Sequence, residues 1–275
     1  MSEYLDANRL AWDGLASPHA ASPGYRVADF VADPGFVSDV VRFDLPRLGD
    51  IAGLRGVHLQ CHIGTDTISL SRLGARMTGL DFSGASLAEA RRIAALLGAE
   101  VDFVQSDVYD AVSALGGPDQ FDLVFTGIGA LCWLPDIALW GQVVAALLRP
   151  GGRLFLREGH PVLWSIDERH TDRLVIDYPY FEPAEPLMDD SDGTYVPTEE
   201  PVGRHTSYSW NHGLGEIVMA LLDAGLQLTS LVEHDSVHWE ALPGQMTRRA
   251  DGEWQLTDRP WRLPHTYTLQ AVNVT

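Results

Sequence analysis

The chain contains no lysine: all 19 of its basic residues are arginine, set against 38 acidic residues, for a formal net charge of −19 over 275 residues. Arginine never clusters beyond the pairs Arg91-Arg92 and Arg248-Arg249. A protein that grips DNA or RNA needs a basic stripe to neutralise phosphates, so nucleic acid is excluded as the expected substrate. Only two cysteines occur, Cys61 and Cys132, too few for a disulfide framework. Both fall in or beside predicted strand ends and read as reduced thiols. No apolar run reaches 18 residues, and the start, Met1-Ser-Glu-Tyr-Leu-Asp, has no basic region leading into an apolar one. No membrane partner is expected, and the reading is a soluble, cytoplasmic protein; nothing in the sequence sets an oligomeric state.

What is present is an alternation of strand and helix signals. Residues 1–52 show helical patches at Tyr4 to Leu15 and Phe36 to Leu48, broken by Ser22-Pro23-Gly24, and are expected to form a helical cap. Residues 53–159 read as the core: strand Val57–Gln60, helix Asp66–Leu73, strand Arg76–Asp81, helix Ala85–Leu97 and strand Val101–Gln105. In the second helix Leu87, Ala90, Ala94 and Leu97 share one face, Ser83 is placed as N-cap and Gly98 lies just past the end. Strand Phe121–Phe125, a helix from Pro135 to Leu148, the turn Arg149-Pro150-Gly151-Gly152 and strand Arg153–Arg157 complete five parallel strands.

Residues 160–212 are rich in Pro, Asp, Glu and aromatics without periodicity and read as an insertion lining the substrate site. Residues 213–275 return to the core sheet with helix Leu214–Ala224, strand Gln227–Glu233, an excursion to about Leu263 and strand Thr266–Val274. The acidic run Asp189-Asp190-Ser191-Asp192-Gly193 lacks calcium-loop spacing and reads as a solvated turn.

The stretch Val57-His58-Leu59-Gln60-Cys61-His62-Ile63-Gly64-Thr65-Asp66-Thr67 is a strand, a glycine-terminated turn and a helix start; Thr78-Gly79-Leu80-Asp81-Phe82-Ser83 then delivers a carboxylate at the next strand's tip. Unpaired backbone N–H groups beside an acid that can accept from two hydroxyls suit a ligand carrying a ribose. These residues, with "DVYD", "LCWLPD" and "HPVLW" further on, resemble class I S-adenosylmethionine-dependent methyltransferases, in a bacterial small-molecule branch, over most of the chain. The loop departs from the usual D-x-G-x-G-x-G: His58 stands at the acidic position, Gln60 and His62 at the first two glycines, and only Gly64 is kept.

The resemblance implies an α/β, doubly wound, mostly parallel seven-stranded sheet (a Rossmann-like methyltransferase fold). It implies S-adenosyl-L-methionine as cofactor, leaving as S-adenosyl-L-homocysteine, held by Tyr25, Gln60, Cys61, His62, Gly64, Thr65, Asp66, Asp81, Phe82, Ser83, Asp107, Val108, Thr126 and Gly127. In that assignment Asp81 takes the ribose, Asp107 the adenine amino group, and Tyr25 folds over the methionine end. Asp107 also reads simply as a turn or helix-cap residue.

The loop Phe125-Thr126-Gly127-Ile128-Gly129 lacks the N/D/S-P-P-Y/F run of nucleic-acid amino methylases, and Thr126 cannot replace the metal-binding Asp of catechol-type methylases. A metal-independent, in-line methyl transfer with no metal ligand is therefore expected. Glu158 and His160, at the tip of the fifth strand, and His212 are candidate bases, each equally readable as a turn or cap residue. Trp164, Tyr178, Tyr180, Phe181, Tyr195, Tyr208, Trp210 and Trp239 point to an aromatic or otherwise apolar small-molecule substrate. The rival readings are a cofactor-binding protein without catalysis and a nicotinamide-dependent oxidoreductase, the latter opposed by the absence of G-x-G-x-x-G.

Overall fold

The computed structural model describes residues 2–199 and 201–275. The chain opens with three helices, α1 (Ser2–Ala21), α2 (Val27–Ala32) and α3 (Asp39–Leu48), with a 3-10 turn at Pro23–Tyr25 between the first two. Helix α3 starts three residues later than the apolar pattern suggests because the Ser38 hydroxyl accepts from the Val41 N–H and fixes the first turn there.

The core follows as β1 (Arg55–Leu59), α4 (Thr65–Arg72), β2 (Arg76–Asp81), α5 (Gly84–Leu97), β3 (Asp102–Gln105), α6 (Ala111–Ala114), β4 (Phe121–Thr126), α7 (Ile137–Leu147) and β5 (Leu148–Gly159). The expected caps of α5 are present: the Ser83 hydroxyl accepts from Ser86 N–H, and Gly98 takes the left-handed conformation at φ 62°. The turn expected at Arg149–Gly152 is absorbed into β5. Leu148 already pairs with Phe121, and the ladder shifts register between Phe121 and Leu123 to take up the extra residues.

Beyond β5 the chain forms α8 (Pro161–Trp164), then the antiparallel pair β6 (Leu187–Ser191) and β7 (His205–Ser209), where the sequence showed no periodicity. Helix α9 (Leu214–Asp223), β8 (Leu226–His234), a small hairpin of β9 (Met246–Arg248) and β10 (Trp254–Leu256), and β11 (Thr266–Asn273) complete it. The central sheet has seven strands in the order β3-β2-β1-β4-β5-β11-β8; β11 runs antiparallel to both neighbours and the first five are parallel. The order reverses between β1 and β4, and a crevice opens at that switch point beyond the strands' carboxyl ends.

Both faces are covered over the centre of the sheet, where β1 and β4 are buried nearly throughout, whereas the edge strands β3 and β8 are partly exposed. One face packs on α7 and α9 through residues such as Trp140, Val144, Ile217 and Leu221; the other packs on α3 and α4 through Val41, Leu48, Leu70, Phe125 and Phe155. The hairpin after β8 is tied to the core by a buried ion pair, Arg157 to Glu253 at 2.8 Å, with the guanidinium 3.7 Å over the Phe43 ring of α3. The β6–β7 hairpin is tied to α1: the Asn8 side chain donates to Tyr208 C=O at 2.8 Å and accepts from Tyr208 N–H at 2.7 Å. Among the described residues no helix is long and apolar enough to cross a membrane, and both cysteines are free.

Helices α7 and α9 approach so closely that a methyl group on Gly141 would sit 2.6 Å from the Ala220 carbonyl oxygen. Glycine to alanine inside a helix normally stabilises by about 1 kcal/mol, whereas overpacking a core costs roughly 1–3 kcal/mol. We expect Gly141→Ala to lower the urea midpoint, with a net loss on the order of 1 kcal/mol; a midpoint equal to or above wild type would show that the interface relaxes freely.

Candidate cofactor site

The crevice, a cavity of about 120 Å³, lies at the ends of β1, β2 and β4, covered by the N-terminal helices and the insertion. Its floor is the loop from Gln60 to Gly64. Gln60, His62 and Gly64 all adopt left-handed backbone, at φ 56°, 50° and 76°. The loop therefore keeps a glycine-type path at two positions that lack glycine, at roughly 1–2 kcal/mol each. Side chains offset that strain: the Gln60 amide donates to Ala130 C=O at 2.8 Å, and His62 Nδ1 lies 3.0 Å from the Ser86 hydroxyl. At position 64 glycine is required twice over, because a methyl group there would also meet the Phe103 ring at 2.8 Å.

Asp81 ends β2 in the crevice wall. Its carboxylate accepts from His62 N–H and from Ser83 N–H, both at 2.8 Å, which leaves each oxygen one further lone pair. Burial raises its pKa to about 6 despite those two bonds, with Asp13 of α1 adding to the rise. Asp66 at the start of α4 is also raised, chiefly by burial. His58 stands where the sequence pattern expects an acid; its Nδ1 bonds the Thr67 hydroxyl at 2.9 Å, and burial lowers its pKa to about 3. The Nε2 of His58 and a carboxylate oxygen of Asp66 flank Gly127, at 3.5 and 3.7 Å from where its Cβ would be.

The roof is aromatic. Trp12 of α1 meets His62 edge-on at 4.9 Å and Trp133 at 5.4 Å between ring centroids. Tyr25 stacks on His19 at 5.5 Å, and its hydroxyl bonds that of Tyr195 from the insertion. His19 and His62 share a ring-to-ring hydrogen bond of 2.8 Å, and His19 reaches the Thr194 hydroxyl at 2.6 Å. Cap, loop and insertion thus meet in one polar chain, in which at least one of the two imidazoles must be neutral to accept from the other.

Of the sequence-predicted cofactor residues, the crevice brings together Tyr25, Gln60, Cys61, His62, Thr65, Asp66, Asp81, Phe82 and Gly127. Gly64 and Ser83 stand behind it, as the tight turn and the α5 cap. Asp107, Val108 and Thr126 do not line it. Asp107 caps the next turn by accepting from Tyr109 N–H, Val108 packs in the core, and Thr126 is buried under β4's end. Unforeseen lining residues are Trp12, His58, Ile63 and Ala130, while Ile128 and Gly129 belong to the loop expected at the methionine end. The helical spacing of Asn8, Trp12 and His19 on one face of α1 was the available signal for Trp12.

None of the three candidate bases lines the crevice. Glu158 accepts four backbone N–H bonds, from Gly129 at 2.5 Å, Gly159 at 2.6 Å, Ala130 at 2.8 Å and Leu131 at 2.9 Å. It clamps the loop after β4 and has no capacity left for a substrate proton. His160 caps α8 through Nδ1 and bonds Glu233 through Nε2. His212 is engaged at both ring nitrogens, by Glu182 and by Leu134 C=O.

The crevice carries two carboxylates, Asp66 and Asp81, and no arginine among its described lining residues. Gln60 Oε1 is buried without a hydrogen-bond partner. An aromatic-roofed, anionic pocket with unmet acceptors fits a ligand that brings hydroxyl or ammonium donors and a positive charge.

Residues 57–154 match the family model described as a methyltransferase domain. Over this segment the chain is similar to a methyltransferase domain. Over 110 residues the chain is 35% identical to a ubiquinone biosynthesis O-methyltransferase of Aeromonas salmonicida, covering 40% of this chain and 45% of that protein. A namesake from Klebsiella pneumoniae is 35% identical over 109 residues, 40% of this chain and 44% of that one. The chain therefore spans less than half the length of these relatives.

Beyond that segment the chain keeps the fold of solved S-adenosylmethionine-dependent methyltransferases. One from Mesorhizobium loti superposes with a TM-score of 0.55 over 84% of this chain and 95% of its own, at 20% identity. The DhpI–SAH complex does so with a TM-score of 0.57 over 98% and 97%, at 18% identity.

The buried His19 makes stability depend on pH. Burial, with His205 adding, lowers its folded pKa to about 4, while unfolded histidine titrates near 6.5. The unfolded chain thus binds the extra proton between those values, so stability is complete above about pH 6.5 and falls as pH drops toward 4. Urea unfolding across this window should give His19→Gln a shallower slope than wild type, by up to about 1.4 kcal/mol per pH unit; equal slopes would remove His19 as the source.

Proposed function

We propose that the chain is an S-adenosylmethionine-dependent methyltransferase acting on a small, uncharged aromatic or heterocyclic acceptor. The observation that carries this reading is the crevice at the β1/β4 switch point: a left-handed loop, the Asp81 carboxylate with two lone pairs to spare, and an aromatic roof. In this reading Asp81 accepts from the ribose hydroxyls, as it already accepts from the backbone on either side. Gln60 Oε1 and Asp66 take donors at the methionine end, and Gly127 lets the backbone approach closely. The bound cofactor supplies an activated methyl group on a sulfonium.

What the residues contribute is alignment and exclusion of water. Trp12, Trp133, Tyr25 and Tyr195 face a cationic centre with aromatic surface and close the crevice against solvent. Two carboxylates without a lining arginine disfavour an anionic acceptor, so phenols, indoles and aromatic amines are favoured over carboxylates and phosphates. Displacement at a methyl group depends mainly on holding nucleophile, methyl and leaving group in line. No expected base reaches the crevice, so an acceptor that is already nucleophilic suits it best. That same observation favours the second reading, cofactor binding without turnover.

Calorimetry with S-adenosylhomocysteine and with NAD tests the site itself. Wild type should bind the former and not the latter, and Asp81→Ala should weaken binding by about 1.5–3 kcal/mol, the worth of hydrogen bonds to a charged group. Preferential NAD binding would overturn the reading. A panel of phenols, indoles and aromatic amines, assayed for S-adenosylhomocysteine release, tests turnover. Silence across the panel with cofactor binding intact would favour the binding protein.

A further inference from the structure

We propose that Glu182, His212 and Glu216 form a site for one divalent transition-metal ion of the zinc class, separate from the cofactor crevice. One ligand atom from each of the three lies within 4.8 Å of the others. His212 is 3% exposed, and its ring is held from outside the group: Nε2 lies 2.7 Å from the Leu134 carbonyl, which can only accept. Nε2 therefore carries a proton, and Nδ1 faces a Glu182 carboxylate oxygen 2.8 Å away. A proton shared between the two holds them at that hydrogen-bond distance, and a metal ion bound there would take that proton's place. A histidine that donates its second N–H to a backbone carbonyl while presenting the other nitrogen to carboxylates is the arrangement seen at metal ligands.

Glu216, in the first turn of α9, brings a second carboxylate into the group, where its Oε2 also accepts from the Gly213 N–H at 3.2 Å. Among the described residues neither glutamate is paired with an arginine. A mixed set of one imidazole and two carboxylates suits zinc and its neighbours better than calcium or magnesium, which prefer oxygen alone. Tetrahedral zinc holds its ligand atoms roughly 3.3 Å apart, so the Glu182–His212 contact would open from 2.8 Å and the exposed Glu216 arm would close by side-chain rotation.

None of the three residues lines the crevice, so the ion would act on structure. It would tie Glu182 of the insertion to the start of α9 and, through Leu134, to the turn that carries Trp133 into the crevice roof. The sequence expectation of no metal rested on the Asp189–Gly193 run and on the end of β4, and neither is this place. Asp190 of that run is instead paired with Arg204 at 2.7 Å.

Titration of metal-free protein with zinc chloride, followed by calorimetry and by metal analysis after gel filtration, tests the site without any methyl-transfer assay. Its outcome is thus separate from that of the proposed activity. Wild type should retain one zinc per chain and gain thermal stability, and cobalt should give visible ligand-field bands. His212→Ala should bind at least tenfold more weakly. Glu216→Gln, on the exposed helix surface, should do the same with an unchanged far-UV spectrum, which guards against a folding artefact. Zinc uptake that is absent in wild type, or equal in wild type and both variants, would overturn the proposal and leave a proton as the bridging cation.

Discussion

The Asp81 carboxylate is the point at which separate parts of the chain are brought to one position. It takes the His62 N–H from the loop after β1 and the Ser83 N–H at the start of α5, and the Ser83 hydroxyl in turn donates to Asp13 of α1 at 2.6 Å. Strand tip, loop, helix cap and N-terminal helix thus converge on a few oxygens. A buried carboxylate costs several kcal/mol to desolvate and stays only where donors surround it. The two backbone donors moderate that cost without cancelling it, since its pKa still stands at about 6. An acid held in this state gains from further donors, and each of its oxygens keeps a lone pair free to accept one.

The loop on which Asp81 acts shows how a backbone path can outlive the residues that usually provide it. Left-handed conformation at Gln60 and His62 is unfavourable for any side-chain-bearing residue, yet each side chain is anchored where glycine would have none. His62 bonds Ser86 and, through His19, the insertion at Thr194. Replacing glycine here therefore exchanges intrinsic ease for tertiary attachment. The loop is committed to its shape only when the cap and the insertion are in place, which couples pocket formation to closure of the aromatic roof.

Much of the architecture was legible because the core helices and strands obey local rules. Ser83 and Gly98 bracket α5 as capping chemistry requires, and the buried strands read as apolar runs between turn residues. The β6–β7 hairpin was not legible: its stabilisation comes from α1, through Asn8 and the rings of Tyr4 and Trp210, and not from its own alternation. The start of β5 was misread as a turn because Pro150-Gly151-Gly152 carries turn chemistry, while pairing with β4 overrides it. In the site, the residues adjacent in sequence to the loop and to Asp81 could be read from spacing. Trp12 and Tyr195 arrive from the cap and the insertion, and no local pattern announces where those segments fold back.

Glu158 shows why roles are harder to read than positions. Its place at the tip of β5, beside the crevice, is what a general base would need, and a carboxylate is the right group. The same place is also where the loop after β4 turns back with three consecutive N–H groups, Gly129 to Leu131, that have no strand partner. Backbone donors left unpaired in the interior cost about as much as a lost hydrogen bond each, and a single buried carboxylate satisfies all three with Gly159 besides. Sequence specifies the carboxylate in both cases; only the direction of the neighbouring amides decides between them. Here they point at Glu158, so its four bonds hold the wall in which Gly129 and Ala130 line the crevice.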